Sequence, residues 1–342
     1  MWTFPKKSMR LPFSLAWVAM VGLSVVSCQP SPSPPNDSAN NQTEIAPQGD
    51  RLDVTVTIPP QQYFVEKIGG DRLKVNVFVS GTNDPHTYEP KPQQLEALSQ
   101  ADAYILVGLG FENAWLDRLK SANPKMMLVD LAQGITPLSM TAHDHADHGH
   151  GEAEHTEEHG DHGHDKNHQA TQNPETEEQV SVQDPHIWLS PTLVKQQAKA
   201  IATSLSQLDP PNANYYQGNL EKFLGEIDQL DQQIRQTLAT VKPRKLIVFH
   251  PSWGYFAKDY DLEQIPIQVE GQEPSAQELG KLIDLAKNNG LKVIFTEPQF
   301  SPKNAEAIAT EIQGRVETIN PLAENWSENL SEVAKKISQQ SN

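Results

Sequence analysis

One long apolar stripe limits the folds open to this chain. Hydrophobic side chains recur every three or four residues over 220–238, at Leu220, Phe223, Leu224, Ile227, Leu230, Ile234 and Leu238. This spacing predicts an amphipathic helix of about 25 to 30 residues, or about 40 Å, that ends before Pro243. A shorter helical pattern starts at Ser190 and stops at Asp209-Pro210-Pro211. Residues 190–242 are therefore predicted to form a helical backbone that connects two lobes.

Strand and helix patterns alternate on both sides of this backbone. Strand patterns occur at 52–58, 73–79, 103–107, 126–129, 245–249, 262–269, 292–295 and 315–319. Such alternation predicts parallel sheets built from βαβ units. Ser275, with Glu278 three residues later, predicts a capped helix start, and Ser301-Pro302 predicts a cap followed by a first-turn proline. The predicted fold class is α/β, with an N-terminal lobe at 51–189 and a C-terminal lobe at 243–342.

The first fifty residues have the features of an export signal and a tether. Basic residues precede an apolar run over 11–26 that is short for a membrane span. Small residues then precede Cys28, the only cysteine, as at a lipoprotein cleavage site where the cysteine becomes lipidated. A plain secretory signal is the alternative for residues 1–28. The Pro-, Ser- and Asn-rich residues 29–50 are predicted to be a flexible tether, and the location is predicted to be extracytoplasmic or periplasmic.

Charge and cysteine content exclude two further features. The formal net charge of −17 argues against a nucleic-acid partner, because a phosphate backbone requires a basic surface. A single cysteine excludes an intramolecular disulfide.

Nine of the twelve histidines are crowded into one polar segment. They are His143, His145, His148, His150, His155, His159, His162, His164 and His168. Carboxylates alternate with them and apolar side chains are nearly absent, so residues 139–183 are predicted to be a mobile loop. Imidazoles beside carboxylates suit zinc, copper or nickel, which predicts auxiliary weak binding. The alternative is a solvated acidic insertion that binds nothing.

The other three histidines each follow or precede a predicted regular element. His86 follows the second strand, His186 precedes the connecting backbone, and His250 ends the first strand of the second half. Carboxyl ends of parallel strands face the ligand crevice of an open α/β sheet. Each histidine alone is more typical of a structural hydrogen bond. Together, with a proline beside each and a histidine-rich loop before His186, they predict a metal site.

Five segments carry a resemblance to a known family: DPHTYEPKPQQLEAL, QDPHIWLSP, FHPSWGYFA, VEGQEPSAQEL and FTEPQFSP. The chain resembles the solute-binding subunits of ABC transporters for zinc and manganese, the cluster A-I family, over nearly all of residues 52–342. It is most similar to the zinc-specific, ZnuA-type members. The resemblance implies two lobes on a long helix, with the metal in the cleft and His86, His186 and His250 as ligands. Three imidazoles also favour zinc over manganese chemically.

The sequence departs from the family pattern at the position of the fourth metal ligand. The family usually supplies an aspartate from the last strand, whereas this chain has Asn320 there, and Pro85 stands where some zinc members use a glutamate. Water, Asn320 and Glu297 remain open as the fourth donor, and we favour water. Glu297 and Asp84 have an alternative role as acceptors for a histidine N–H. Trp188 and Trp253 are expected in the wall and core.

The resulting prediction is a monomeric, non-enzymatic Zn²⁺ carrier that serves an ABC permease and its ATPase, and that is tied to a membrane if Cys28 is lipidated. A zinc hydrolase is the first alternative, because three histidines and a zinc-bound water are hydrolytic in some enzymes. No HExxH or nucleophile motif supports it. An adhesin or a surface metal buffer without a permease is the second alternative.

Overall fold

A four-stranded parallel sheet organises each of two lobes in the computed structural model, which describes residues 51–140, 183–268 and 272–340. The N-terminal sheet has the order β2-β1-β3-β4. Its strands are β1 Leu52–Val56, β2 Leu73–Val77, β3 Ala103–Leu106 and β4 Met127–Asp130. Its helices are α1 Pro59–Gly69, α2 Pro92–Leu98 and α3 Gly110–Ala122. Val54 pairs with Val75 on one side and Ala103 on the other.

Two helices connect the lobes, as the apolar stripe predicts. Helix α4 spans Pro191–Leu208 and begins with Ser190, whose hydroxyl accepts a hydrogen bond from the Leu193 amide. A 3-10 turn at Pro210–Asn212 separates it from α5, which spans Ala213–Leu238 and has 26 residues. The two prolines cannot donate backbone hydrogen bonds, so the chain turns between the helices.

The C-terminal sheet has the same winding, with the order β6-β5-β7-β8. Its strands are β5 Lys245–Val248, β6 Glu263–Pro266, β7 Val293–Thr296 and β8 Arg315–Thr318. Its helices are α6 Gly254–Asp259, α7 Ala276–Asn289, α8 Lys303–Glu311 and α9 Trp326–Ser338. The α/β fold class is confirmed, with two parallel-sheet lobes and a long helical backbone.

The predicted helix starts are right in one case and wrong in the other. Ser275 and Glu278 form the expected capping box at the start of α7. Helix α8 begins one residue later than predicted, with Pro302 rather than Ser301 at the cap position. The Glu306 amide makes its helical bond to the Pro302 carbonyl at 2.9 Å, which places Pro302 just before the first helical residue.

One apolar core runs through both lobes. Trp326 of α9 packs edge-to-face on Phe64 of α1 at 5.1 Å, and both belong to the same buried cluster as Phe223 of α5. The Trp326 indole donates to the Trp188 carbonyl, and the Trp188 indole donates to the Pro321 carbonyl, each at 2.7 Å. The closing helix of the chain thus packs along α5 and touches the first helix of the N-terminal lobe through Trp326. A smaller cluster fills the rest of the C-terminal lobe.

Several sequence predictions lie outside the described residues. These are the signal at 1–28 with Cys28, the tether at 29–50, and the nine clustered histidines between 143 and 168. Over the described ranges, we find no helix with the length and apolar character needed to span a membrane.

Candidate metal centre

The three separate histidines meet at one point. His86 lies in the loop after β2, His186 caps a 3-10 turn at Ile187–Leu189 that leads into α4, and His250 follows β5. Strand β5 stands where the order of the C-terminal sheet reverses, which is where open α/β sheets form their ligand crevice. One ring nitrogen from each histidine lies within 4.8 Å of the others.

The spacing of these nitrogens suits a small tetrahedral ion. The Nε2 atoms of His86 and His186 are 3.2 Å apart. A tetrahedral zinc with Zn–N bonds of about 2.0–2.1 Å requires ligand nitrogens about 3.3 Å apart. The Nε2 atom of His250 is buried and has no hydrogen-bond partner among the described residues. A buried nitrogen without a partner is costly, and a metal ion would satisfy it.

Two side chains hold the rings of His186 and His250 in place. Each contacts the ring through Nδ1, the nitrogen on the far side from the cluster. The Nδ1 atom of His186 lies 2.7 Å from Asp184 Oδ1, which also accepts the His186 backbone amide at 2.9 Å. The Nδ1 atom of His250 lies 3.1 Å from Gln268 Oε1. When Nδ1 carries the proton, each Nε2 lone pair is left free for a metal. Neither role is evident from the sequence, although Asp184 stands in the same DPH motif as His186.

Burial keeps the three imidazoles neutral. The pKa of His86 falls to about 4 because of burial, with repulsion from His186 adding to it. Burial lowers the pKa of His186 to about 3. The pKa of His250 also falls to about 3, through burial first and then through repulsion from His186 and His86. All three side chains are therefore in the state that binds metal at neutral pH.

Glu297 supports the His250 segment and is separate from the histidine cluster. Its two oxygens accept hydrogen bonds from the His250 backbone amide at 3.3 Å and the Ser252 hydroxyl at 3.2 Å. Burial raises the pKa of its carboxyl to about 8. Within the described ranges, no carboxylate joins the three histidine nitrogens in a group that could hold an ion.

Asn320 and Asp84 also have partners of their own. The Asn320 side-chain oxygen accepts from the Leu322 amide at 3.0 Å and from the Gln299 amide nitrogen at 3.2 Å. Asp84 accepts from the backbone amide of His86 at 2.9 Å and from the Thr87 hydroxyl at 3.1 Å. Asp84 therefore shapes the loop that carries His86, through the backbone rather than the ring.

A small cavity of about 10 Å³ lies at the histidine cluster, lined in part by Trp188, Gln299, Phe300 and Leu322. Phe300 stacks on the His250 ring at 5.0 Å, and Trp188 lies 5.2 Å from the His186 ring. A cavity of about this size holds one water-sized species. Trp188 is a wall residue and Trp253 is buried, whereas Phe300 was not foreseen from the sequence.

The chain enters and leaves the histidine-rich insertion at one place. Ser139 and Gln183 form an antiparallel bridge, and the Asp184 amide donates to the Leu138 carbonyl at 2.8 Å. The Tyr255 hydroxyl accepts from the Leu138 amide at 3.1 Å and donates to the Asp184 carbonyl at 3.0 Å. A cavity of about 330 Å³ opens here, and none of the described histidines lines it. The base of the insertion is thus joined directly to the residue that holds His186.

Comparison with known proteins decides the family. Residues 54–340 match the model of the family described as "Zinc-uptake complex component A periplasmic", ZnuA. The chain belongs to the ZnuA family. The resemblance inferred from the five motifs is therefore confirmed, and with it an extracytoplasmic component of a zinc-uptake system. Members of this family are transport components, so the expectation that the protein is not an enzyme is confirmed as well.

Relatives of the ZnuA family match along most of the chain. The High-affinity zinc uptake system protein ZnuA of Bacillus subtilis (strain 168) is 30% identical over 279 residues, which cover 80% of each chain. A crystal structure of ZnuA is 54% identical, has a TM-score of 0.73, and covers 86% of this chain and 100% of its own. A ZnuA deletion mutant with zinc bound is also 54% identical, with a TM-score of 0.72 over 86% of this chain and 99% of its own.

Proposed function

We propose that the protein binds one Zn²⁺ ion through His86, His186 and His250 and delivers it to the permease of an ABC importer driven by its ATPase. The observation that carries this proposal is the convergence of three neutral imidazole nitrogens within 4.8 Å. Imidazole suits zinc, copper and nickel, whereas manganese prefers oxygen ligands. The zinc-bound ZnuA deletion mutant supports zinc as the cargo, because it is 54% identical to this chain.

In this proposal the zinc bridges the two lobes. His86 and His186 belong to the N-terminal lobe at 51–189, and His250 belongs to the C-terminal lobe at 243–342, with residues 190–242 as the connecting backbone. A shared core makes wide separation of the lobes costly, because buried apolar surface would be exposed. Capture and release then depend on small shifts of the loops that carry the histidines. His86 is the least buried of the three ligands and is the natural point of entry.

The residues outside the described ranges complete the proposal. Lipidation of Cys28 would attach the protein to a membrane, and residues 29–50 would tether the monomeric body within reach of the permease. The nine histidines between 143 and 168 would give weaker auxiliary sites. Free imidazoles on a polar segment bind metal less tightly than preorganised ones, because binding must first order the chain.

Calorimetry separates the proposed tight site from the auxiliary sites. We expect the full chain to bind several zinc ions, and a variant that lacks residues 142–168 to bind one ion tightly. His186→Ala in that variant should abolish tight binding, because the buried donor is lost. His186→Ala and His159→Ala in the full chain form a matched pair, and only His186→Ala should abolish tight binding there. A deletion variant without a tight site would contradict the three-histidine assignment.

Delivery requires a separate assay. Liposomes that contain the permease and its ATPase should take up zinc in the presence of the zinc-loaded protein. The His186→Ala protein should not support this uptake. Equal uptake with both proteins would exclude a carrier role.

A further inference from the structure

The amide oxygen of Gln299 lies buried without an identified partner. Gln299 follows β7 and lines the same small cavity as the three histidines. Its Oε1 atom is buried and has no hydrogen-bond partner among the described residues. Leaving such an acceptor unpaired costs about 1–3 kcal/mol. Counting partners from the described ranges alone, two buried atoms at this site have no hydrogen bond, Gln299 Oε1 and His250 Nε2.

The orientation of this amide is fixed by its nitrogen. Gln299 Nε2 donates to the Gly81 carbonyl at 2.6 Å and to Asn320 Oδ1 at 3.2 Å. Both partners are oxygens that only accept hydrogen bonds. The Gly81 partner is a backbone carbonyl, and the Asn320 partner is identified as the side-chain oxygen because the Leu322 amide donates to it. A flipped amide would place oxygen against oxygen, so the nitrogen must occupy this side. Asn320 stands where the resemblance places an aspartate, and here it orients Gln299.

We propose, on the basis of the zinc-binding function above, that Gln299 Oε1 accepts a hydrogen bond from a water that fills the fourth position on the zinc ion. Amide oxygens are not among the usual zinc ligands, which argues against direct coordination. A zinc-bound water is more acidic than a free one and is a strong hydrogen-bond donor. An ion held between the histidine nitrogens and a single water in the cavity of about 10 Å³ would satisfy both unpaired atoms, and this volume leaves no room for a larger ligand.

This arrangement connects the bound ion to the loop that carries His86. The Gln299 nitrogen holds Gly81, which precedes His86 in the same loop. The atoms that would hold the ion are then neutral, three imidazole nitrogens and one water oxygen, and Asn320 stands where the resemblance places an aspartate. A neutral donor set holds a dication less firmly than one with a carboxylate, which favours release of a cargo ion.

Substitutions at Gln299 separate its oxygen from its nitrogen. Gln299→Leu removes both groups, whereas Gln299→Glu keeps an acceptor oxygen and removes the donor to Gly81. We expect Gln299→Leu to weaken zinc binding by about 2- to 12-fold, which corresponds to one neutral hydrogen bond. Gln299→Glu should bind zinc at least as tightly as the parent. With Co²⁺ in the site, it should also raise the pH at which the bound water ionises.

The matched control is Gln94→Leu. Gln94 accepts a hydrogen bond from Tyr88 in the same loop as His86, but it does not line the cavity. Its removal should leave the pH dependence of the Co²⁺ spectrum unchanged. If Gln299→Glu weakens zinc binding as much as Gln299→Leu does, the effect comes only from the lost hydrogen bond to the Gly81 carbonyl, and the inference is overturned. If the parent protein binds no zinc tightly, the proposed function fails instead.

A crystal structure of the zinc-loaded full chain tests the geometry directly. We expect a water on the zinc that lies within hydrogen-bond distance of Gln299 Oε1. A protein atom in the fourth position, or a zinc-bound water that hydrogen-bonds elsewhere, would overturn the inference.

Discussion

Acid should weaken zinc binding far less than the histidine ligands alone would predict. Three imidazoles with an ordinary pKa of about 6.5 would each be about 90% protonated at pH 5.5. Zinc would then displace about 2.7 protons, and its affinity would fall about 1000-fold between pH 7.5 and pH 5.5. From the sequence alone, this loss below about pH 6.5 is the expected behaviour.

In the structure, the group that changes its protonation between pH 7.5 and pH 5.5 is a carboxyl rather than a histidine. With pKa values of about 4, 3 and 3, the three imidazoles are almost fully unprotonated at pH 5.5. Asp184 instead has its pKa raised to about 7 by burial, so it holds a proton at pH 5.5. A zinc-bound His186 donates Nδ1–H to an ionised Asp184, and binding therefore releases that proton. Glu297 contacts the backbone of His250 rather than its ring and need not change its protonation.

The sign and size of the effect follow from this single proton. Affinity is constant above a pH of about 7 and falls as pH drops below it, because protons compete for the Asp184 carboxylate. The loss between pH 7.5 and pH 5.5 should be about 25-fold, with about one proton released per zinc at pH 5.5.

Proton release can be counted by calorimetry in two buffers that differ in ionisation enthalpy. The variant that lacks residues 142–168 is the right sample, because the clustered histidines would release protons of their own. Asp184→Asn keeps an acceptor for His186 and has no proton to lose, so its count should approach zero. A count near three in the parent variant would refute the burial argument. An unchanged count in Asp184→Asn would refute the role of Asp184.

Three further predictions concern the site and the fold. In the full chain, His250→Ala should weaken tight zinc binding by more than tenfold while His155→Ala has little effect, and equal losses in a chelator competition would contradict this division. Trp326→Ala should cost about 3–5 kcal/mol in urea unfolding, because it empties a site in the core shared by the lobes; a cost below 1 kcal/mol would exclude a shared core. Ser275→Ala should cost about 1 kcal/mol, since the Ser275 hydroxyl caps α7 through the Glu278 amide, and an unchanged unfolding midpoint would show that the cap is dispensable.

The fold could be predicted where a pattern persists over many residues. The apolar stripe predicted a helix of about 25 to 30 residues, and α5 has 26. Helix α6 was missed because its six residues, Gly254–Asp259, are too few to show a period. The contact of Trp326 in α9 with Phe64 in α1 was not foreseen either, since no local pattern indicates which residues a closing helix will meet.

The three histidines of the candidate site could be predicted from the sequence, but the side chains that hold their rings could not. Histidines are rare outside the crowded segment, so the three separate ones could be recognised by position alone. Gln268 lies 18 residues after His250 and reaches it only because β5 and β6 pair in parallel, with Ile247 opposite Ile265. The pKa values depend on burial, which a sequence does not give. The sequence therefore provides only the ordinary histidine pKa of about 6.5, whereas burial lowers the pKa of each of the three described histidines.

The bridge between Ser139 and Gln183 makes the segment between them an interchangeable part. Its two ends lie side by side in this bridge, so we expect the fold to tolerate a change in the length of chain between them. Doubling the length of such a segment adds only about 0.6 kcal/mol of closure cost. A fluorescent reporter or a different metal-binding peptide could take its place. Asp184 directly follows the bridge and contacts the His186 ring. A force on the inserted module would therefore displace Asp184 and change the position of a zinc ligand, which is the coupling that a sensor requires.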